Sequence, residues 1–548
     1  MKRWLPTVVA LVALLATASA SRAQNTEAIL DSLQYTGFHY FWDLGNPANG
    51  LCPDRSTPGS VCSIASTGFG LSAITVGIDH GWISRSDGAA RVRTTLNTFW
   101  TYPQGPGTSG VIGYNGLFYH WLDMTTGLRR VDWNAELSTI DTALLFAGIM
   151  HCHEYFDGGD TEEVAIRALA DSITRRADWN FMRNGAPGLE MGWLPTTGFS
   201  SFGRWIGYNE AMIMYIMAIG SPTHPIPGTD WNTWLSGYSY GQFNANIGPY
   251  VQFPPLFGHQ YSHCWIDFRT ARDAYMQLKG STYFENSRRA TLSQIGYARQ
   301  RGDFEQFFPG NHTYAYGESD SLWGFTASDD PSGYVAHGAP SGTENGTIAP
   351  TAAITSLVFC PDSVWRCVLN MWNNRNTVSG GKVFSYWGPY GFGDAFNPEQ
   401  TPWFDTAVLG IDQGPIVVML ENYRTGGVWS RFMTHPDIVN GMSLAGFVPV
   451  PTAVNGPGSP RTPSLELAAI PNPFRAATTL RYSLAASGRV RLTVYDVGGR
   501  AVARPVDGVE TGGAHEVQLA GEHLPAGVYE VRLDAGGASL VRRAVLLR

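Results

Sequence analysis

The feature that most constrains the fold is an abrupt change in composition near residue 450. The run from Pro449 to Pro460 is rich in proline, glycine and small residues, and such a run stays extended and builds no core. From about Leu465 onward the chain has no tryptophan, cysteine or lysine, whereas the part before the run holds all 18 tryptophans. We therefore predict two separately folded domains, which a chain of 548 residues can accommodate.

The N-terminus has the pattern of a secretion signal. Lys2 and Arg3 precede an apolar run from Val8 to Leu15, and small residues follow that run. The run is too short to span a bilayer, and no later stretch reaches the length of a membrane helix. We predict a signal peptide over 1–23, a large domain over 24–447, a linker over 448–464 and a tail domain over 465–548. The mature protein is expected outside the cytoplasm, secreted or on the outer surface of a bacterium, with the periplasm as an alternative.

Composition excludes several classes of protein. A net charge of -8 argues against a basic nucleic-acid surface, and 44% hydrophobic against 15% charged residues argues against a disordered chain. Six cysteines are too few for a disulfide scaffold, and without a CxxC pair they do not predict a zinc–thiolate site. Two candidate short-range disulfides are Cys52–Cys62 and Cys360–Cys367, and we expect Cys152 and Cys264 to be buried thiols.

The tail alternates apolar and polar residues with period two over 479–484, 490–495 and 528–533, with turn signals between the runs. This spacing predicts a small antiparallel β-sandwich. Asn472-Pro473-Phe474, Val494-Tyr495-Asp496 and the stretch from Leu524 to Tyr529 resemble the C-terminal secretion-sorting and flagellar-hook-cap type immunoglobulin-like domain. The resemblance implies contact with export machinery or the cell surface; the alternative is a passive spacer.

The large domain reads as mainly helical. Ser138 begins a helix to Met150 with a capping box that includes Asp141, and 210–219 is almost wholly apolar. We also predict helices over 257–278 and 413–433. Several helices are apolar on more than one face, as in the inner ring of a double ring, and regularly spaced strands are not evident. The pattern favours an α/α toroid over a TIM barrel.

Glu210 is the strongest candidate for acid chemistry. Hydrolysis of a glycosidic bond needs one protonated carboxyl near the leaving oxygen and a second group that acts on water or as nucleophile. Apolar surroundings raise a carboxyl pKa, and the residues from Met212 to Tyr215 follow Glu210 directly. The alternative is that Glu210 sits in a first helical turn because the helix dipole favours it. Aromatic residues at 13%, including those 18 tryptophans, suit a carbohydrate cleft.

Three aspartates are candidates for the second group. Asp394 lies in a glycine-flanked loop rich in aromatics, where it could instead form a turn. Asp141 could serve only as the partner of Ser138, and Asp412 could cap the helix entered at Pro415. His259 and His263, four residues apart, could be metal ligands, could hydrogen-bond a sugar or could belong only to the core, but no third ligand is fixed by spacing, so we predict no metal.

Ordered blocks between residues 35 and 435 resemble the glucoamylase-like (glycoamylase) family, whose characterised members include bacterial endo-β-1,2-glucanases of glycoside hydrolase family 144. The blocks are Glu136 to Ala143, Tyr208 to Met212, Gly220 to Pro225, His259 to His263, Trp323 to Tyr334, Gly346 to Pro350, Gly410 to Pro415 and Glu421 to Gly426. The resemblance implies an (α/α)6 barrel, a secreted enzyme active on β-glucan and no required cofactor. It also aligns Glu210 with the family's proposed general acid. One departure is visible, because the family's Ser-Asp-Gly-Pro reads Ser328-Asp329-Asp330-Pro331 here.

The resulting functional hypothesis is a secreted glycoside hydrolase that cleaves β-1,2-glucan internally to sophorooligosaccharides, with inversion. Its alternatives are a transglycosylase, an exo-acting glucosidase of the same fold, and a catalytically silent surface glycan-binding protein. The expected sugar platforms are Trp323, Trp387, Tyr390 and Phe392. The expected hydrogen-bonding residues are Arg55, Tyr208, His259, Tyr261 and Asp329.

Overall fold

The structure is a computed structural model that describes residues 26–301, 322–379, 382–397, 403–450 and 466–546, the last range with gaps at 471–473, 475, 485–486, 497–499, 512 and 536–537. Two compact units are present, Met1–Val450 and Pro451–Arg548. The predicted signal peptide and residues 451–464 of the predicted linker lie outside the described residues. Those two predictions therefore stay predictions.

The first unit is built mainly from helices. They are α1 (26–44), α2 (Ile64–Asp79), α3 (Arg85–Thr101), α4 (Thr139–Tyr155), α5 (Thr161–Arg176), α6 (Trp179–Arg183), α7 (Met212–Gly220), α8 (Asp230–Leu235), α9 (Ala274–Leu278), α10 (Tyr283–Arg301), α11 (Pro350–Thr355), α12 (Pro361–Asn373), α13 (Gly410–Arg424), α14 (Gly427–Phe432) and α15 (Pro436–Leu444). Short 3-10 helices cover Leu256–His259, Ser262–Cys264 and Ser356–Val358. No described helix joins the length and the apolar character that a bilayer span requires.

The described strands of the first unit are short antiparallel pairs in the loops. They are β1 (Cys62–Ser63) with β4 (Trp121–Leu122), β2 (Gly113–Tyr114) with β3 (Leu117–Phe118), β5 (Leu137–Ser138) with β6 (Gly192–Trp193), β7 (Tyr240–Gly241) with β8 (Tyr250–Val251), β9 (Ala271–Arg272) with β18 (Val448–Pro449), β10 (Ala327–Asp330) with β11 (Gly333–Ala336), β12 (Asn376–Ser379) with β13 (Lys382–Ser385), β14 (Trp387–Gly388) with β15 (Gly391–Phe392), and β16 (Phe396–Asn397) with β17 (Trp403–Phe404). They join the ends of helices rather than form a central sheet.

Helices α2, α4 and α13 are buried on nearly every side, and α2 packs directly on both of the others. Glycines permit this contact: a Cβ on Gly68 would lie 2.3 Å from the carbonyl oxygen of Leu144, and one on Gly414 would lie 2.2 Å from Phe69. The start of α4 is as predicted, with the Ser138 side chain accepting a hydrogen bond from the N–H of Asp141. All three helices direct their N-terminal ends to one region of the unit, which holds the cavity described below.

Three predicted helices differ from the structure. The segment 257–278 is wrong as one helix: it holds 3-10 turns, an irregular stretch and the short α9, which begins where Asp273 accepts the N–H of Met276. The helix predicted over 413–433 begins earlier and breaks at Gly426, whose φ of 68° is left-handed. Helix α7 begins at Met212, so Glu210 precedes it and does not occupy its first turn.

All six cysteines are buried free thiols, so the two candidate disulfides are absent and the expectation for Cys152 and Cys264 is confirmed. Cys360 is the N-cap of α12 and Cys367 lies inside that helix. Seven residues of helix separate their Cα atoms by about 10 Å. This distance exceeds the reach of a disulfide, about 7 Å.

The second unit consists of antiparallel strands. They are β19 (Glu466–Ile470), β20 (Ala477–Leu484), β21 (Gly488–Tyr495), β22 (Ala501–Glu510), β23 (Gly513–Ala520), β24 (Gly527–Ala535) and β25 (Ala538–Leu546). Their sheet orders are β19-β20-β23 and β22-β21-β24-β25. One apolar cluster contains residues of both sheets, such as Leu480 and Leu533. The three runs that alternate in the sequence lie within strands, as predicted, while the sandwich arrangement stays a prediction.

Candidate active site

A cavity of about 610 Å³ lies in the first unit where several inner elements begin. Ser63 and Ser138, the N-caps of α2 and α4, line it together with Leu409, the N-cap of α13. Glu210, two residues before α7, completes this side, and Tyr261 approaches from the 3-10 segment. Helix N-termini carry partial positive charge, so this end of the unit favours carboxylates.

A hydrogen bond to its backbone holds Glu210 in place, and its carboxyl group has few polar neighbours. The Ser262 hydroxyl donates to the carbonyl oxygen of Glu210 (2.9 Å) and accepts the N–H of Ile213 (3.1 Å), which fixes the turn before α7. Among the described residues, Oε2 of Glu210 is buried and has no hydrogen-bond partner. Burial, helped by the negative charge of Asp141, raises the pKa of Glu210 to about 7. A carboxyl in this state can donate a proton near neutral pH.

Asp141 lies in the first turn of α4 and lines the same cavity. The Ser138 hydroxyl donates to Oδ2 of Asp141 at 2.5 Å. Oδ1 of Asp141 lies 3.6 Å from Nε2 of His120, whose Nδ1 lies 2.7 Å from Oε1 of Glu136. The cavity therefore contains an imidazole between two carboxyl groups, in addition to Glu210.

The charges of this group depend on one another. Burial alone would lower the pKa of His120, but the negative charges of Asp141 and Glu136 and the hydrogen bond to Glu136 outweigh it and raise that pKa to about 9. Burial alone would raise the pKa of Glu136, but His120 more than offsets this and the pKa is lowered. His120 and Glu136 were not singled out from the sequence, because their contacts join β4 to the start of β5 and have no local pattern.

Arg55 joins the cavity to a second acidic cluster. Its guanidinium donates to Asp329 (2.9 Å) and to Asp54 (3.3 Å), and the N–H of Asp329 donates to Oδ2 of Asp394 (2.7 Å). Asp394 and Asp412 are both buried, and burial raises the pKa of each. Arg55 and Asp54 line the cavity, whereas Asp394 and Asp412 are not among its described lining residues.

The alternatives for these two aspartates can now be assigned structurally. Asp394 accepts a hydrogen bond from Asp329, 65 residues away, rather than from its own turn. Asp412 is not a helix cap, because α13 begins at Gly410 with Leu409 as its N-cap. Both carboxyl groups are buried, and the negative charge of Asp412 adds to burial in raising the pKa of Asp394.

Of the residues predicted from the sequence, the cavity lining brings together Glu210, Asp141, Arg55 and Tyr261, whose hydroxyl donates to the carbonyl oxygen of Ile411 (3.1 Å). The other predicted residues do not appear in the described lining. They are Asp329, Asp394, Asp412, Tyr208, His259, Trp323, Trp387, Tyr390 and Phe392. Trp323 and Phe392 are core residues in this structure, so their expected role as sugar platforms is corrected: no ring face is open to a ligand.

His259 and Tyr208 are also core residues. The His259 ring is fully buried, its Nε2 lies 3.1 Å from the carbonyl oxygen of Phe253, and burial lowers its pKa to about 3. Tyr208 packs against His259 and Tyr283. Trp387 and Tyr390 are half-buried and pack on Phe392 and Tyr40 respectively. The core alternative stated for His259 therefore describes this structure.

The cavity lining contains aromatic side chains that were not singled out from the sequence. Trp121 and Trp133 line it with ring centroids 5.5 Å apart, and Trp133 is 50% exposed. Trp205 and Tyr334 lie on the same lining. Only the count of tryptophans signalled such a surface, because burial of each ring is decided by the tertiary fold.

Three groups of described side chains bring potential metal ligands within 4.8 Å of one another. The groups are His153/Glu154/His435, His120/Glu136/Asp141 and Asp329/Asp394/Asp405. Each already has protein partners: Nδ1 of His435 accepts the N–H of Asp437, His120 lies between two carboxyls, and Asp329 binds Arg55. These contacts account for the groups without an ion, and the pair His259 and His263 belongs to none of them.

The departure at Asp330 is accommodated by a closed hairpin. Oδ1 of Asp330 accepts the N–H of Ser332 (2.6 Å), and Oδ2 accepts a hydrogen bond from Asn345 (2.7 Å). Asp330 pairs with Gly333 where β10 turns into β11. This hairpin carries Tyr334 to the cavity.

Comparison with known proteins assigns the first unit. Residues 203–436 match the glycoamylase family, described as "putative glucoamylase". A solved structure of that description from Bacteroides uniformis is 32% identical, with a TM-score of 0.64, and the match covers 77% of this chain and 97% of the other. The chain belongs to the glycoamylase family. The resemblance predicted from the sequence blocks is thereby confirmed.

Two further glycoamylase relatives are described by what they act on. An endo-β-1,2-glucanase from Chitinophaga pinensis, solved with sophorotriose and glucose, is 29% identical with a TM-score of 0.67, and the match covers 77% of this chain and 98% of the other. An exo β-1,2-glucooligosaccharide sophorohydrolase (non-reducing end) of Parabacteroides distasonis is 29% identical over 458 residues. That match covers 78% of this chain. The chain thus spans only 59% of the length of the sophorohydrolase. The predicted class of enzyme agrees with these relatives.

Residues 468–547 match the secretion system C-terminal sorting domain. The tail therefore marks this glycoamylase as secreted or located at the cell surface, as predicted.

Proposed function

We propose that this protein is a glycoside hydrolase that cleaves β-1,2-glucan internally to sophorooligosaccharides. The observation that carries the proposal is Glu210, a carboxyl with a pKa raised to about 7 in an aromatic-lined cavity that also holds Asp141. A glycosidase needs two carboxyl groups of this kind, one of which is protonated near the leaving oxygen. The relatives named above act on β-1,2-linked glucose, which supports the linkage.

Internal cleavage is supported by the extent of the two matches. The Chitinophaga pinensis endo-enzyme is matched over 98% of its length, whereas the exo-acting sophorohydrolase has about two-fifths of its length outside the match. The endo mode is proposed from this likeness to the endo-enzyme along nearly its whole length.

An (α/α)6 toroid accounts for the packing of the first unit. Helix α11 packs on α13, α13 on α2, α2 on α4 and α4 on α7, and the 3-10 segment Ser262–Cys264 also packs on α13. These six segments form the inner ring in this proposal. Their succession explains why Glu210, Asp141 and Tyr261, which are far apart in sequence, line one cavity.

In the proposed reaction Glu210 donates its proton to the leaving oxygen, and Asp141 directs a water molecule to the anomeric carbon from the other face, so that the configuration inverts. Asp141 is favoured over Asp394 and Asp412 because it lines the cavity with Glu210. The other two are buried and their pKa values are raised, so a smaller fraction of each is in the ionised form that a base requires.

The test is product analysis of the full mature chain with linear β-1,2-glucan and, separately, with starch. Short sophorooligosaccharides from the former alone, released first as the α-anomer from the β-linkage, support the proposal. Sophorose as the sole early product would establish the exo mode. Glucose from starch would overturn the linkage. Binding of β-1,2-glucan without any product would favour the glycan-binding alternative.

A further inference from the structure

The described lining of the cavity holds two basic side chains, Arg55, which binds Asp54 and Asp329, and His120, which lies between Glu136 and Asp141. We propose that His120 is a positioning residue for the reaction: as an imidazolium it lies between Glu136 and Asp141 and holds the side chain of Asp141 in its orientation in the cavity that contains Glu210. The inference rests on the proposed function for its consequence in catalysis. The bridge itself is a property of the folded chain.

Both ring nitrogens of His120 face carboxylate oxygens. Nδ1 lies 2.7 Å from Oε1 of Glu136, and Nε2 lies 3.6 Å from Oδ1 of Asp141. A neutral imidazole has one N–H and one lone pair, whereas an imidazolium has two N–H donors. The charged form therefore presents an N–H to Glu136 and a second N–H on the edge of the ring that faces Asp141. The raised pKa of His120, about 9, agrees with this geometry.

The ring is fixed in place by its neighbours. It stacks on Trp121 with centroids 3.8 Å apart and planes 16° apart. The N–H of His120 donates to the carbonyl oxygen of Glu136 (2.9 Å), and the N–H of Ile64 donates to the carbonyl oxygen of His120 (3.3 Å). The loop is thus tied both to the start of α2 and to the strand that leads into α4. A ring held on this many sides sets the direction from which Asp141 is contacted.

The remaining charges around His120 are identifiable. Asp54 adds a third negative charge that favours the imidazolium, and Arg55 in turn binds Asp54. Arg129 lies near Glu136 and supports its ionised form. These outer charges flank the bridge, but only His120 touches both Glu136 and Asp141 among the described residues that line the cavity.

The consequence is that the carboxyl groups of the cavity take different roles, one as acid and one as base. Without a cation, Glu136, Asp141 and Glu210 would compete for protons in one cavity, because like charges close together oppose each other's ionisation. The positive charge of His120 lies against Asp141 and Glu136, while the negative charge of Asp141 helps to keep the proton on Glu210. His120 therefore separates the acid from the base without touching the leaving oxygen.

The experiment uses the full mature chain with His120→Gln, His120→Lys and the control His39→Gln. His39 also lies about 3.0 Å from a carboxylate, that of Asp43, but on α1 and outside the described cavity lining. We expect the acid limb of the pH profile of kcat/KM on β-1,2-glucan to move upward by about one pH unit in His120→Gln, which is roughly a tenfold loss below that limb. His120→Lys restores the limb because the cation returns, and His39→Gln leaves the profile unchanged. An equal loss at every pH in His120→Gln would show a purely structural role and overturn the inference.

A second measurement is independent of activity. The imidazole of His120 is titrated by NMR in the chain labelled with ¹³C-histidine, and its signal is assigned by its absence in His120→Gln. A midpoint above about pH 8 supports the bridge, whereas a midpoint at or below the ordinary histidine value of about 6.5 overturns it. This result holds whether or not the protein cleaves β-1,2-glucan, so failure of the proposed function and failure of the bridge are distinguishable.

Discussion

The hydroxyl of Ser138 donates to the carboxylate of Asp141 at 2.5 Å and accepts the N–H of the same residue at 3.3 Å. Asp141 is thus at once the capping partner of α4 and a residue of the cavity wall. The sequence left open whether Asp141 caps the helix or functions in the cleft. The two interpretations are compatible, because the contact with Ser138 directs the carboxylate of Asp141 and does not remove it from the cavity wall. The inner helices α2 and α13 likewise begin at the cavity.

Asp141→Asn tests Asp141 against the other two candidates for the base, Asp394 and Asp412. The amide preserves the cap acceptor but cannot act as a base, so we expect kcat to fall by about 10²–10⁴ with little change in melting temperature. Asp394→Asn, compared in parallel, keeps the acceptor for the N–H of Asp329 and is expected to retain activity within about tenfold. Measured rates on β-1,2-glucan decide: an inactive Asp394→Asn beside an active Asp141→Asn would move the role of base to the buried pair.

Trp133 and Trp323 are expected to respond in opposite ways to replacement by alanine. Trp133 is 50% exposed beside the cavity, so Trp133→Ala should weaken glucan binding by about 0.5–1.5 kcal/mol, roughly three- to tenfold in KM, with little loss of stability. Trp323 is 0% exposed, so Trp323→Ala should lower the free energy of unfolding by about 3–5 kcal/mol. Kinetics and chemical denaturation of both variants check this. Unchanged KM in Trp133→Ala would remove Trp133 from the substrate surface.

The contact between α2 and α4 predicts a strong effect at Gly148. A Cβ there would lie 2.0 Å from the carbonyl oxygen of Gly68, which is backbone and cannot turn aside. Gly148→Ala should destabilise the first unit by at least about 1–3 kcal/mol through overpacking. Gly159→Ala is the matched control, because its Cβ would meet nothing within 4 Å. Equal melting temperatures for the two variants would contradict this packing.

Stability should also depend on the ionisation of Glu210. The folded state raises the pKa of Glu210 from 4.5 to about 7, so the folded chain keeps this proton to higher pH than the unfolded chain does. The wild type should therefore lose stability relative to Glu210→Gln as the pH rises from about 4.5 to 7. Melting temperatures at pH 4 and pH 8 test the sign. A difference in melting temperature between Glu210→Gln and the wild type that is the same at both pH values, or that shifts in favour of the wild type at pH 8, would contradict it.

What could be predicted from the sequence was local chemistry. The cap at Ser138 follows from residues three apart, and the acid candidate Glu210 follows from the apolar run directly after it. His120 and Glu136 could not be found in this way, because their contact depends on the packing of separate loops. The same limit explains why Trp323 was predicted as a sugar platform and Trp133 was not, since the exposure of a ring is set by the whole fold.

Helix boundaries show a second limit. Apolar periodicity continues across Gly426, yet its left-handed backbone ends α13 and starts α14. The segment 257–278 is apolar enough for a helix, but a Cβ on Gly258 would lie 2.3 Å from Phe253, and the chain turns there instead. Apolar periodicity does not register either the left-handed backbone at Gly426 or the close approach of Phe253 to Gly258.

The central claim is that Glu210 is the general acid of a β-1,2-glucan hydrolase. The most direct test is the pH profile of kcat/KM on linear β-1,2-glucan for the wild type, Glu210→Gln and the surface control Glu162→Gln, whose carboxylate pairs with Arg93. We predict a wild-type rate that falls above about pH 7, a loss of about 10²–10⁴ in Glu210→Gln, and an unchanged profile in the control. A Glu210→Gln variant that keeps its rate within tenfold of the wild type across the pH range would contradict the account.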